Sequence, residues 1–160
     1  MHLMLLPALF KSNASITIDK ALVQPGGKKV WRPTSAESRN GFILHVKHAN
    51  DIKTQLEKRQ EFMKSVGCSC QPLIVVCGSK LTSITHYQLS IDSIIYTVPG
   101  PLQAVDYLFK AFQSLHSWYP VEAEQVWLFL QRDVYGIVSQ HDNIKSSSLT
   151  LAQALRNNLK

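Results

Sequence analysis

The apolar residues of this chain recur in two rhythms, one of period two and one of period three to four. Leu73-Ile74-Val75-Val76-Cys77 is a short, continuous, largely β-branched run closed by Gly78-Ser79. Such a run predicts a central strand buried on both faces. Tyr87, Leu89 and Ile91 alternate with Gln88, Ser90 and Asp92, as in a strand with one buried face. Ile94-Ile95-Tyr96-Thr97-Val98 follows after only Asp92-Ser93, so these two runs are expected to form a hairpin in a mostly antiparallel sheet. Phe42 to Val46, behind Gly41, has the strand propensity of a further member.

The longer rhythm appears in three places. Ile52, Leu56, Phe62 with Met63, and Val66 predict an amphipathic helix over 51–66, with Asn50 as N-cap, Gly67 as stop and Lys53, Glu57, Glu61 and Lys64 on the wet side. Thr34-Ser35-Ala36-Glu37 has the form of a capping box and predicts a short helical turn before it. After the break at Pro99-Gly100-Pro101, Leu102, Val105, Leu108, Phe109, Phe112 and Leu115 share one helical face. Tyr119-Pro120 ends that helix. Pro120 then starts a second long helix striped by Val126, Trp127, Leu130 and Val134, with Glu122 and Glu124 near its positive end and Gly136 as C-cap. The expectation is an α+β fold: a small, mostly antiparallel sheet of about three or four strands, packed by an amphipathic helix and a C-terminal antiparallel helical hairpin.

Residues 1–33 lack a clear rhythm and read as an irregular N-terminal segment, with a strong turn signal at Gln24-Pro25-Gly26-Gly27. Met1–Phe10 and Ile16–Ile18 are apolar enough to need cover, from the main core or from a part of a larger protein. Residues 34–138 form the expected globular α+β domain. Residues 139–160 begin as a polar, Ser-rich linker and end in a short helix carrying Leu149, Leu151, Leu155 and Leu159.

The 160 residues, 45% hydrophobic and 18% charged, fit one compact domain that needs neither metal nor disulfide to bury a core. No apolar run reaches the roughly 18–20 residues that cross a membrane. The net charge of +6 is unevenly spread: residues 1–66 hold eleven Lys and Arg against five Asp and Glu, and the remainder six against six. A polyanion contact through Lys28, Lys29, Arg32, Arg39 and Lys47 is one reading. A solvated basic face is the simpler one, because no dense Lys/Arg run occurs. Cys68, Cys70 and Cys77 are an odd, sparse set that fits a reduced, intracellular chain, in cytoplasm or nucleus. Met1–Phe10 lacks the basic start of a secretory signal and is interrupted by Pro7, so Asn13-Ala14-Ser15 is not expected to be a used glycosylation site.

Candidate chemistry is thin. Cys68 and Cys70 with His45 and His48 supply zinc-type ligands, but Cys-x-Cys is a poor zinc spacing, and the two histidines have opposite strand parity. Cys77 reads as a buried thiol without a base. Asp106, Glu122, Glu124 and Asp133 are explained by helix dipoles and solubility. No phosphate-cradling loop or nucleophile elbow occurs, and Gly26-Gly27-Lys28-Lys29 follows no clear strand. No catalytic, cofactor or metal residue is assigned. Phe109, Phe112, Trp118, Tyr119, Trp127, Phe129 and Tyr135 cluster in the electrically neutral half, where core packing accounts for most of them. Trp118, Phe129 and Tyr135 fall off the main apolar stripes and are the candidate partner surface.

Trp31-Arg32-Pro33, Tyr119-Pro120 and Trp127-Leu128-Phe129-Leu130-Gln131 are landmarks within Lys29–Ile137. This stretch resembles the C-terminal domain of a multicopy family of uncharacterised animal proteins, some labelled as similar to sterile alpha motif domain-containing protein 3. The multicopy spread of that family suggests mobile-element descent. The resemblance implies a module of a longer protein and brings no catalytic residue with it. The expected function is therefore a non-enzymatic protein-interaction module with an unidentified protein partner and no membrane contact. A nucleic-acid-associated module using the basic N-terminal third is the first alternative, and an enzyme without a recognisable motif the second.

Overall fold

The computed structural model describes residues 2–19 and 30–158. Lys28, Lys29 and the turn signal around Pro25-Gly26 lie outside the described residues. The fold is α+β, as the two rhythms predict. Its main sheet has the order β3 (Ile43–Val46), β4 (Leu73–Cys77), β5 (His86–Ile91), β6 (Ile94–Val98), and a separate two-stranded ribbon pairs β1 (Ile16–Thr17) with β2 (Val30–Trp31). β4 is central, and all five of its residues are buried. It pairs antiparallel with β5, and β5 with β6, but β3 runs parallel to it. A parallel neighbour requires a crossover, and α3 (Ile52–Ser65), entered through the 3-10 turn Ala49–Asp51, supplies it. Asn50 lies inside that turn, and Asp51 is the N-cap, with no side-chain cap bond.

The pleat sends alternate residues to opposite layers. Leu44, Val46, Leu73, Val75 and Cys77 meet Ile52 and Leu56 of α3 on one face. Ile43, Ile74, Val76, Leu89 and Val98 meet α4 (Pro101–Ser114) and α5 (Glu124–Phe129) on the other. Trp127 is fully buried there, edge-on to both Phe42 and Phe112. Within α4, Val105, Leu108, Phe109 and Phe112 are buried, whereas Leu102 in its first turn and Leu115 just past its end are exposed.

The N-terminal segment, expected to be irregular, carries regular elements that join the core. The 3-10 turn His2–Leu5 and α1 (Leu6–Leu9) deliver Met4 and Phe10 into the main core, and Phe10 stacks on Phe129 at 4.2 Å. The boundary expected at residue 33 therefore divides one core. The capping box is real: Glu37 N donates to Thr34 Oγ1, and Thr34 N donates to Glu37 Oε2 at 2.7 Å, starting α2 (Ser35–Phe42). This helix is longer than the expected turn and takes in Gly41 and Phe42. Trp31, Met63 and Val66 form a third small core under the β1–β2 ribbon.

The second long helix differs most from expectation. Residues 121–123 form a turn, α5 has only six residues, and a π-helical turn follows at Leu130–Val134. Glu122 sits in the turn that precedes α5. Instead of facing solvent at a helix start, its side chain is 1% exposed and ion-paired with the Arg59 guanidinium of α3, itself 10% exposed. Gly41 makes room for it, since a Cβ there would lie 2.1 Å from Glu122 Cγ. The expected polar linker is likewise held. Gln131 Nε2 donates to Asp142 Oδ2 at 2.8 Å, Gln125 Nε2 to the Asn143 carbonyl at 2.9 Å, and Ser148 Oγ to Gln125 Oε1 at 3.1 Å. The terminal helix is present as α6 (Ser146–Asn158), which returns Leu151 and Leu155 to the core and pairs Arg156 with Asp133 at 3.0 Å.

Two substitutions test this account by urea unfolding. Arg59→Met strands a buried carboxylate and is expected to cost about 3–5 kcal/mol. Gly41→Ala raises helix propensity by about 1 kcal/mol yet is expected to be net destabilising by about 1–3 kcal/mol, because the methyl collides with Glu122.

Candidate functional site

One helix on one face leaves half of that face open. α3 lies over β3 and β4, and the strip formed by β5 and β6 beside it carries Gln88, Ser90 and Ile95. Between them runs a cleft of about 770 Å³, walled by Ile52, Lys53, Leu56, Glu57 and Gln60 and closed at one end by Cys70 and Gln71. Its volume suits a small ligand. Its chemistry is mild. Lys53 and Glu57 face each other at 3.9 Å across one helical turn, both well exposed. Partial desolvation of the sulfur pushes the Cys70 thiol up, although the residue is exposed overall, and the nearby Arg59 opposes this only in part. Gln88 Oε1 is buried with no hydrogen-bond partner and would accept from any N–H or O–H placed in the cleft.

The outer wall of this region is the edge strand β6. Asp92 and Ser93, with φ of 47° and 67°, both adopt positive φ and close the hairpin as a two-residue turn. The register Ile91↔Ile94, Ser90↔Ile95, Leu89↔Tyr96, Gln88↔Thr97 follows from it. In such a hairpin the pair flanking the loop exchanges hydrogen bonds, and bonded and non-bonded pairs then alternate. Ile94, Tyr96 and Val98 thus spend their backbone groups on β5. Ile95 and Thr97 direct theirs outward, and among the described residues no strand pairs with this edge. Ile94, Ile95, Tyr96 and Thr97 are all exposed, and the strand carries no charge, no proline and no bulge. Those are the devices that normally protect an edge.

Trp118 is 82% exposed. It lines, with Ile137, Tyr119, His116, His141 and Asp142, a second cleft of about 370 Å³. Phe129 and Tyr135 do not join it. Phe129 is spent on Phe10, while Tyr135 stacks on Phe109 at 3.8 Å and its hydroxyl donates to Asp106 Oδ1 at 3.1 Å. They left the helical stripes because they pack on the N-terminal segment and on α4, layers invisible to a single-helix periodicity. Arg32, Arg39 and Lys47 are exposed, and none of them lines either cleft. Arg32 Nε is 3.4 Å from Ser15 Oγ. His45 Nε2 is 2.8 Å from the Gly78 carbonyl, which gives that ring a structural role. Among the described residues, no group of three or more His, Cys, Asp or Glu could hold a metal ion, and no helix is long and apolar enough to cross a membrane. Sequence reasoning missed the free edge. The signal was present in the order of elements: β6 closes a hairpin, and the described elements after it are all helical.

No protein-family model, curated protein or solved structure matches the chain.

Burial and the hydrogen bond to Asp106 push the Tyr135 phenol up to about 12, and burial does the same for Tyr119, whose hydroxyl donates to Gln131 Oε1 at 2.7 Å. A phenol raised in the folded state contributes stability below its unfolded value near 10, lost as pH climbs toward 12. Tyrosinate absorbance should therefore contain a component rising near pH 12 that Tyr119→Phe and Tyr135→Phe together remove, with unfolding midpoints falling between those pH values. Trp118→Ala should leave thermal stability within about 0.5 kcal/mol of the parent. Trp127→Ala should cost about 3–5 kcal/mol in the same calorimetric measurement.

Proposed function

We propose that this chain is a non-enzymatic protein-interaction module that captures an extended segment of another polypeptide by adding it as a strand to β6. The observation that carries the reading is the outward pair Ile95 and Thr97: two backbone N–H and two C=O groups on a straight, uncharged, solvent-exposed edge. Strand addition satisfies those groups and gives affinity, while alternate side chains give selectivity. On one face the added strand continues the floor of the cleft beyond Ile95. On the other it continues the surface formed by Ile94 and Tyr96. Trp118 offers a separate anchor for a larger partner, since exposed tryptophans are frequent hot spots. The likeness carried by Trp31-Arg32-Pro33 and Trp127-Leu128-Phe129-Leu130-Gln131 supports placing the module within a longer protein of mobile-element descent.

The test is selection from a display library of random peptides, followed by amide hydrogen exchange on the complex. Bound peptides are expected to slow exchange at Ile95 and Thr97. Thr97→Pro deletes one outward donor without touching the β5 ladder and should weaken binding roughly tenfold. Selected peptides that protect only the Trp118 cleft and ignore Thr97→Pro would overturn strand addition.

A further inference from the structure

Strand addition, on which this inference rests, leaves open who supplies the strand. We propose that the segment paired with β6 is the β6 of a second copy of this chain, in a two-fold antiparallel dimer centred on Tyr96. The hairpin narrows the register. Outward backbone groups sit at Ile95 and Thr97, and an antiparallel strand exchanges bonds only between residues that both point theirs outward. A two-fold axis at Tyr96 sets Ile95 against the partner copy's Thr97 and Thr97 against its Ile95, so four backbone bonds form with none wasted. No heterologous sequence is required, because the strand is its own complement.

The side chains agree with this register on both faces. Tyr96, 47% exposed, meets its own copy as a non-bonded pair, the closer of the two antiparallel geometries and one that favours aromatic partners. Ile94, 56% exposed, falls opposite the copy's Val98 on the same face. Leu102, 71% exposed in the first turn of α4, stands just beyond Val98 at that end. On the cleft face Ile95 meets Thr97. The result is one eight-stranded sheet without a free β6 edge.

Electrostatics permit the pairing despite a net charge of +6. The whole excess lies in residues 1–66, whereas β5, β6 and α4 belong to the half with six cations and six anions. In this register the nearest charge, Asp92, falls opposite the copy's Gly100, so no like charges meet across the strand pair.

The experiment combines sedimentation velocity over a concentration series with cysteine cross-linking. The parent chain is expected to shift from monomer to a species of twice the mass as concentration rises, and Thr97→Pro to remain monomeric. Tyr96→Cys is expected to form an inter-chain disulfide under mild oxidation, because a residue on the axis of a non-bonded antiparallel pair meets its copy within disulfide reach. Tyr107→Cys, at a site on α4 of equal exposure (46%), should cross-link no more than the parent, whose Cys70 is already exposed. A chain that stays monomeric at every concentration overturns the self-pairing. A dimer in which Tyr96→Cys fails to cross-link above the parent overturns it too, and that outcome does not depend on how Thr97→Pro folds. Were the monomer still to bind display-selected peptides at Ile95 and Thr97, strand addition would stand with a different partner. Failure of both assays would remove the two readings together.

Discussion

A four-stranded sheet is wider than one helix. Strands repeat at about 4.8 Å, so the four backbones span roughly 14 Å before side chains are added, whereas a helix with its side chains is about 10–12 Å across. α3 seats itself over β3 and β4 because it is the crossover between them, and a parallel crossover packs on the strands it joins. Nothing comparable joins β5 to β6, which need only a two-residue turn. The open cleft and the free edge are therefore one consequence of topology. On the opposite face two successive helices are available, and there the core is continuous from β3 to Val98.

The covered half needs its own fastening, because α3 buries little of itself. Ile52 and Met63 are the two buried residues of α3. Arg59 compensates by reaching Glu122, a residue sixty-three positions later in the segment that leads to α5. This pair spans the layers: it ties the helix on one face of the sheet to the helical layer of the other. A buried pair of this kind adds little stability over an apolar pair of equal volume, but it is intolerant of mismatch. Its worth is positional. Gly41 leaves the space that Glu122 occupies.

The sequence was most informative where one residue pattern met one surface. β4, the β5–β6 hairpin, α4 and the capping box at Thr34 were legible because burial there follows a single period or a local hydrogen-bond code. Legibility failed where several surfaces compete for one segment. Phe129 and Tyr135 looked unassigned because Phe10 and Phe109, their stacking partners, belong to other elements. Glu122 looked like a helix-dipole residue because its partner is distant in the chain. The stretch from Ser139 looked like a linker because its order comes from Gln125 and Gln131, two buried amides whose partners are mostly backbone groups and small polar side chains. Parallel pairing of β3 was hidden for the same reason: it depends on where α3 returns the chain, and strand propensity is blind to direction.

The exposed edge gains meaning from what surrounds it. Proteins commonly protect edges with lysine, proline or a bulge, and this chain carries seventeen Lys and Arg with none in β6. Thr97 is the one polar residue of the strand. Pro99 comes two residues after Thr97, too late to block either outward donor. Meanwhile the two residues that bear those donors turn their side chains to the cleft face, where the sheet floor is Gln88 and Ser90 rather than a sealed core. A strand arriving at β6 can therefore bond without displacing any packed group. The same hairpin that leaves the edge free holds it rigid through five ladder pairs, so little ordering of the receiving strand is left to oppose the encounter.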